Sequence, residues 1–279
     1  MTEPLVLYYQ LTLGPPHLAR IRALNALVGV RCEGVQFASD ERTRRALGRD
    51  PADAIVTTLS EGEYETLPRF EVLQAALRHL DQSGAAAIIV DAPADPVQFF
   101  LGRLAHRRGC IAATRWAATW TDHPRKRWKE FLKGFMYRGW DAYLATGERS
   151  IEYLKTFGVD DDSIFTCGNP VDSEAIASAR HSLHREDRRE NFLFVGRFLK
   201  LKNLERFARA WLQYRQNGGG WTLDLVGFGE SEPELRRLLE GCADVSFHGH
   251  LGHEELLPLY FESGCLVLPS FSENWGLVV

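Results

Sequence analysis

The sequence has no long apolar run, no surplus of one charge sign and no patterned cysteines, and each absence removes a class of function. No stretch approaches the ~18 consecutive apolar residues of a membrane-crossing helix, so none is expected. The N-terminus, MTEPLVLYYQ, lacks the basic n-region and long apolar h-region of a secretory signal. Lys and Arg number 33 against 37 Asp and Glu, a net charge of −4. Divided after residue 172, the parts carry 21 basic against 22 acidic residues and 12 against 15. Neither part has the field that draws a protein to nucleic acid, so no nucleic-acid partner is expected. Cys32, Cys110, Cys167, Cys242 and Cys265 are odd in number and scattered, with no pair at metal-site spacing. They read as reduced thiols in a cytoplasm. Internal repeats and low-complexity tracts are also missing.

What is present is ordinary globular material, 45% hydrophobic and 25% charged. At roughly 150 residues per domain, 279 residues favour two domains. Short apolar strand-like runs at 5–9, 35–38, 86–91, 111–114, 142–146 and 164–167 alternate with helical stretches at 16–28, 67–82, 96–108, 125–139 and 148–157. A second series follows, with strands at 192–195, 222–226, 245–247 and 265–269 and helices at 203–216, 232–239 and 254–262. Such alternation predicts βαβ units and parallel sheets covered on both faces. The Gly-Asn-Pro-Val-Asp turn within 168–173 and the polar stretch after it mark the seam. The expected domains are therefore 1–172 and 173–279. The predicted class is α/β, with two Rossmann-like domains whose parallel sheets face a cleft at their strand C-terminal ends.

Three segments carry chemistry. In FLFVGRFLKLKNLERF an apolar strand runs into Gly196, then Arg197, then Lys202 at the opening of a helix. A forked guanidinium and an ammonium near a helix N-terminus suit the spread charge of a diphosphate; a solvated basic loop has the same spacing. In LDLVGFGESEPELRRLL, Gly227 and Gly229 sit between a strand and a helix. The third glycine of a dinucleotide fingerprint is replaced by Glu232, which argues against a standard NAD site. In CLVLPSFSENWGLVV a buried strand ends at Pro269 before Ser270, Ser272 and Glu273, and Gly276 permits close backbone approach. A strand-end carboxylate can accept hydrogen bonds from sugar hydroxyls. Taken alone, Glu273 also reads as a carboxylate favoured at a helix N-terminus.

Together these segments resemble glycosyltransferase family 4, whose members are retaining enzymes of the two-domain GT-B type. The motifs VGR…K.KN, VG.G and PS..E..G match in order, each at a strand end, over residues 191–279. The resemblance implies that Arg197 and Lys202 bind the donor diphosphate, with Gly196, Gly227 and Gly229 in the surrounding turns. It implies that Glu273 holds hydroxyls of the transferred sugar and does not pair with a buried cation. Backbone groups of Asn274, Trp275, Gly276 and Leu277 would contact sugar and phosphate. The family's second glutamate, which holds the ribose, would fall just beyond Val279, so the second domain is expected to be incomplete.

The N-terminal half is similar to bacterial polysaccharide and lipopolysaccharide transferases of that family. QLTLGPPHLARIRAL looks like their opening loop and first helix, with Gly14 by the cleft and His17 starting the helix. The family's paired glycines are replaced by Gly14-Pro15-Pro16. In TWTDHPRKRWKEFL, Asp122 and His123 match a polar pair on the acceptor side; a helix cap or a surface position accounts for His123 as well. Trp128, Phe131, Leu132 and Phe135 fall on one helical face, and residues 115–138 hold seven basic and two acidic residues. That pattern suits either a helix lying on an anionic membrane surface or an aromatic stripe packed into the domain core with its lysines solvated. Core packing is the preferred expectation.

The expected activity is transfer of a sugar from a nucleoside diphosphate sugar to a glycan or lipid-linked hydroxyl acceptor, in cell-surface polysaccharide or glycolipid synthesis. The setting would be the cytoplasm, with peripheral contact at the inner face of the plasma membrane if the helix lies on lipid. No Asp-x-Asp motif lies near a donor strand, so no cofactor or metal is expected and the cations carry the leaving-group charge. Two other readings compete: a non-catalytic α/β protein that binds nucleotide or sugar, and a GT-B-like sugar-nucleotide epimerase.

Overall fold

The computed structural model describes residues 3–27, 29–39, 55–91, 93–120, 127–168, 176–178, 188–273 and 276. The chain divides into two compact units, Met1–Val171 and Asp172–Val279.

The first unit runs β1 (Leu5–Gln10), α1 (Pro15–Asn25), β2 (Arg31–Gln36), β3 (Val56–Thr58), α2 (Arg69–Ser83), β4 (Ala87–Val90), α3 (Pro96–Arg107), β5 (Ile111–Trp116), α4 (Arg127–Tyr137), β6 (Ala142–Ala145), α5 (Glu148–Thr156) and β7 (Ile164–Thr166). The seven strands form one sheet in the order β3-β2-β1-β4-β5-β6-β7, and every pair is parallel. The order reverses between β1 and β4, the crevice where doubly wound sheets bind ligands. β3 was not foreseen, because three residues outside a strong apolar run give no periodic signal.

The core is built mainly from β1, β4 and β5 against α2 and α3. Leu7, Tyr9, Ile88, Leu101 and Ala105 are fully buried there. Gly102 on α3 lies under the Trp140 ring; a Cβ would come within 2.2 Å of it, so nothing larger fits. Asp95 caps α3 by accepting from the Gln98 N–H, and Pro96 takes the first turn, where its missing donor costs nothing.

The core-packing expectation for the α4 stripe is corrected by the structure. Trp128, Phe131 and Phe135 are 61%, 71% and 68% exposed. The helix instead turns Glu130, Gly134 and Tyr137 inward, another set at helical spacing. Tyr137 meets an aromatic cluster of Trp116, Tyr153 and Phe157 that already fills the space. Glu130 is tolerated inside because Tyr153 Oη donates to its Oε2 at 2.5 Å and Lys133 Nζ to its Oε1 at 2.8 Å. The side chain of Leu132 lies outside the described residues.

The second unit runs β8 (Arg189–Val195), α6 (Leu204–Gln216), β9 (Thr222–Val226), α7 (Glu232–Leu238), β10 (Val245–Gly249), α8 (His253–Glu262) and β11 (Ser263–Leu266). Its sheet is parallel, in the order β10-β9-β8-β11, and reverses between β8 and β11. Phe194, Phe198, Leu204, Trp211, Leu223 and Leu225 form its core on one face. Leu193, Val195 and Val226 pack on the other. The last strand ends earlier than the apolar run 265–269 suggests, although the Val267 N–H still pairs with Leu193 O at 2.8 Å.

Candidate functional site

In the second unit, Gly196 ends β8 and the chain turns through Arg197 and Phe198 into a 3-10 turn, Lys200–Lys202. This loop lies on the one that follows β9. Phe198 N–H donates to Phe228 O at 2.8 Å and Ser231 N–H to Phe198 O at 2.9 Å. Gly227 and Gly229, at φ 129° and 157°, are what permit it. A Cβ on Gly227 would lie 1.9 Å from Gly196 O, and one on Gly229 2.5 Å from Phe198 O. The Gly-x-Gly pair therefore has a packing reason of its own: it seats one strand-end loop on the next.

The same loop is tied to the one after β11, across the point where the sheet order reverses. Asn203, in the left-handed region at φ 56°, donates from Nδ2 to Pro269 O at 3.0 Å. Phe271 N–H donates to Leu201 O at 2.9 Å. The third tie is between side chains, from Lys202 Nζ to Glu273 Oε1. Ser270 Oγ donates to the same carboxylate oxygen at 2.5 Å. The Lys202 and Glu273 side chains keep 20% and 23% of their surface exposed. Glu273 therefore does pair with a half-buried cation, contrary to expectation. With no other cation at that strand end among its described contacts, the ammonium is the nearest neutralising group. Arg197 is exposed, and among the described residues no hydrogen bond or ion pair holds its side chain. Gly276 has φ 73°; Asn274, Trp275 and Leu277 lie outside the described residues. Asn203 was missed as a site residue; an Asn directly before a helix after a basic turn is the available signal.

The first unit has its own constellation at the β1/β4 reversal. Asp91 follows β4, and its side chain is 6% exposed. It accepts from Tyr8 Oη at 2.7 Å, Gln10 Nε2 at 2.7 Å and Arg115 Nε at 2.8 Å. His17 Nε2 lies 3.7 Å from its other oxygen. Burial pushes the Asp91 carboxyl up, but the His17 ring facing it and the hydrogen bond and charge of Arg115 outweigh that and hold the group well below the usual carboxylate range. Burial, and then the Asp91 charge, push the Tyr8 phenol far up. His17 Nδ1 accepts from the Gly14 N–H at 3.1 Å, which places the ring proton on Nε2, facing Asp91. His17 is thus buried, with both ring nitrogens facing the protein's own groups, and it fixes the Gly14 turn at the start of α1. Sequence reasoning named Gly14 and His17 but missed Asp91, Arg115, Tyr8 and Gln10. Their signal was an acidic residue closing the run AAAIIV and an arginine within the apolar AATRW. Asp122 and His123 lie outside the described residues. Among the described residues, no group of three or more His, Cys, Asp or Glu side chains is placed to hold a metal ion.

Residues 189–279 match the model of the family described as glycosyl transferases group 1. The structure is similar to lipopolysaccharide outer core galactosyltransferase WaaB in its apo form, over 99% of this chain and 76% of that one, with TM-score 0.62 and 14% identity. The fold is GT-B. HepE (Alr3699) of Anabaena, solved with UDP and glucose, matches over 99% of this chain and 77% of its own, with TM-score 0.67 and 12% identity. UDP-GlcNAc 2-epimerase of Neisseria meningitidis, solved with UDP-GlcNAc, matches over 95% and 77%, with TM-score 0.56 and 10% identity. No curated protein matches. In this GT-B chain the loops bearing Arg197, Lys202 and Glu273 all fall inside the matched family region.

Proposed function

We propose that the chain is a retaining glycosyltransferase that moves a hexose from a nucleoside diphosphate sugar to a hydroxyl acceptor, a glycan or a lipid-linked sugar, in cell-surface polysaccharide or glycolipid synthesis. The observation that carries this reading is the Lys202–Glu273 pair at the reversal of the second sheet, with exposed Arg197 in the same loop. An ion pair open to solvent on one side can be re-partnered. The donor diphosphate takes the Lys202 ammonium and the Arg197 guanidinium, and Glu273, released, accepts hydrogen bonds from the sugar hydroxyls.

As the glycosidic bond breaks, negative charge collects on the leaving diphosphate. The two cations meet it in place, without a divalent ion, and lower the barrier by preorganised electrostatics. Gly196, Gly227 and Gly229 shape the donor loops, the resemblance assigns further donor contacts to backbone groups of Asn274, Trp275, Gly276 and Leu277, and Gly14 sits in the turn that His17 fixes. Asp122 and His123 are the acceptor-side candidates. The reaction belongs in the cytoplasm, where sugar nucleotides are made.

A second reading is kept because an epimerase shares the fold: inversion at a sugar carbon of the nucleotide sugar, with no acceptor. One screen separates the two. The chain is incubated with UDP-, GDP- and other nucleotide sugars, with and without hydroxyl acceptors. Free nucleoside diphosphate formed in step with a glycosylated acceptor supports transfer. A new sugar nucleotide formed without acceptor supports epimerisation, and binding without turnover leaves a non-catalytic binding protein.

A further inference from the structure

Asn203 holds a strained backbone position that the donor chemistry alone does not explain. It closes the 3-10 turn Lys200–Lys202 and opens α6, at φ 56° and ψ 30°. Among the described residues it is the one residue other than glycine with a positive φ. Glycine takes that left-handed backbone without strain, so an asparagine there needs a reason in its side chain. Helix capping is not that reason. Asn203 O accepts from the Phe207 N–H at 3.2 Å and starts the helix, but the side chain makes no cap hydrogen bond. An asparagine before a helix ordinarily accepts from the N–H groups of the first turn. Here the amide turns the other way and donates from Nδ2 to Pro269 O at 3.0 Å. Glu205, in the first turn, supplies the negative charge that a helix start favours.

The Asn203 bond has a neighbour of the same kind. Phe271 N–H donates to Leu201 O at 2.9 Å, so two hydrogen bonds join residues 201–203 to residues 269–271. Lys202 lies between the first pair of ends, and Glu273 follows two residues after the second. Neither bond uses a charged group. The Lys202–Glu273 ion pair has to open when a phosphate takes the ammonium, and an open ion pair holds nothing together. The two neutral bonds outlast it. They keep both charged side chains within reach of one ligand while their own contact is broken.

We propose that Asn203 is a positioning residue: its side chain latches the loop bearing Lys202 to the loop bearing Glu273 and keeps them in donor-binding register after the ion pair opens. The inference deepens the glycosyl-transfer reading and rests on it for the ligand, a nucleoside diphosphate sugar. The latch itself belongs to the ligand-free chain and can be judged without turnover.

The test has two arms, both on the whole chain. Amide hydrogen exchange reads the latch alone. Asn203→Gly keeps the backbone angle and removes the side chain, so it should melt within about 3 °C of the wild type. Exchange at the Phe271 N–H should nevertheless rise about fivefold or more, while Leu193 and Leu225 in the sheet keep their protection. Lys202→Ala removes the ion pair and leaves the latch, so Phe271 exchange should stay within about twofold of the wild type. Steady-state rates with the sugar donor read the consequence. Asn203→Gly should lower kcat about 10- to 100-fold, with KM changed less, because a displaced cation is felt most where charge develops. Asn203→Ala, strained at the same angle, should melt below Asn203→Gly yet lose the same rate, which separates positioning from stability. Unchanged Phe271 exchange in Asn203→Gly, or an equal rise in Lys202→Ala, would overturn the latch. So would a wild-type kcat in Asn203→Gly. A wild type that turns over no nucleotide sugar would sink the transfer reading, and the exchange arm would still decide the latch.

Discussion

Lys202 and Glu273 lie 71 residues apart in the chain, yet the ammonium of one donates to the carboxylate of the other. The pair spans the two loops that flank the order reversal of the second sheet. It brings together the two charge types that a sugar diphosphate requires, a cation for the phosphates and an acceptor for the hydroxyls.

Removing either cation of that loop should cost transfer and spare the fold. Arg197→Ala or Lys202→Ala is expected to lower kcat about 100- to 1000-fold. Arg197 is exposed, so its variant should melt with the wild type; Lys202→Ala, which leaves Glu273 without its cation, should melt slightly lower. Steady-state rates with the sugar donor, beside melting curves, check this. Near-normal rates in both variants would sink the clamp.

Glu273→Gln keeps the shape of the side chain and removes its charge. It should weaken binding of the nucleotide sugar more than binding of the free nucleoside diphosphate, since only the sugar uses the carboxylate. Loss of the Lys202 pair leaves that ammonium freer for phosphate, so diphosphate affinity should hold or rise. Calorimetry with both ligands decides it; equal losses for the two would place Glu273 away from the sugar.

Transfer should survive chelation. With Arg197 and Lys202 carrying the leaving-group charge, EDTA is expected to leave the rate within about twofold, where loss of a charge-stabilising ion would cost ~100-fold or more. A complete loss restored by magnesium or manganese would show that a divalent ion does the work assigned to the cations.

Asp91 should support the first unit at neutral pH and lose that role in acid. Its folded-state affinity for a proton is depressed, so its contribution is whole above the ordinary carboxylate value of about 4 and fades as pH falls towards the lower folded-state value. Asp91→Asn leaves the Arg115 guanidinium buried beside a neutral amide, a loss of about 3–5 kcal/mol at pH 7. In urea unfolding, the gap between wild type and variant should narrow steadily below pH 4. A gap that stays constant across that range would mean that the carboxylate charge contributes nothing.

Gly227→Ala tests the seating of the loops. A methyl group 1.9 Å from Gly196 O, at a backbone angle of φ 129°, should cost at least ~2 kcal/mol and lower donor affinity as the Arg197 loop shifts. Gly220→Ala, where a Cβ meets nothing within 4 Å, is the neutral control. Matching melting temperatures for the two variants would contradict the close approach.

Much of the architecture was legible because it rests on local pattern. Short apolar runs alternating with helical stretches gave the parallel α/β class, and glycines at strand ends marked Gly196, Gly227 and Gly229 as turn positions. β3 was missed, since it draws its stability from pairing with β2 and has little pattern of its own. The α4 stripe was assigned to the wrong side. Residues 128/131/135 and 130/134/137 have equivalent helical spacing, and hydrophobicity favours the first set. The cavity was already filled by Trp116, Tyr153 and Phe157, and Glu130 could enter because Tyr153 supplies a hydrogen bond.

The sequence by itself determined most of the element types and their order, the nearly even charge balance and the residues at the ends of the strands, because these follow from local periodicity and residue chemistry. Which of those ends meet was decided only by the tertiary structure. Strand order is set by pairing across tens of residues, and that pairing put β8 beside β11 and β1 beside β4. From it came the Lys202–Glu273 contact and the burial of Asp91 among Tyr8, Gln10 and Arg115, whose polar groups must satisfy one another once water is excluded.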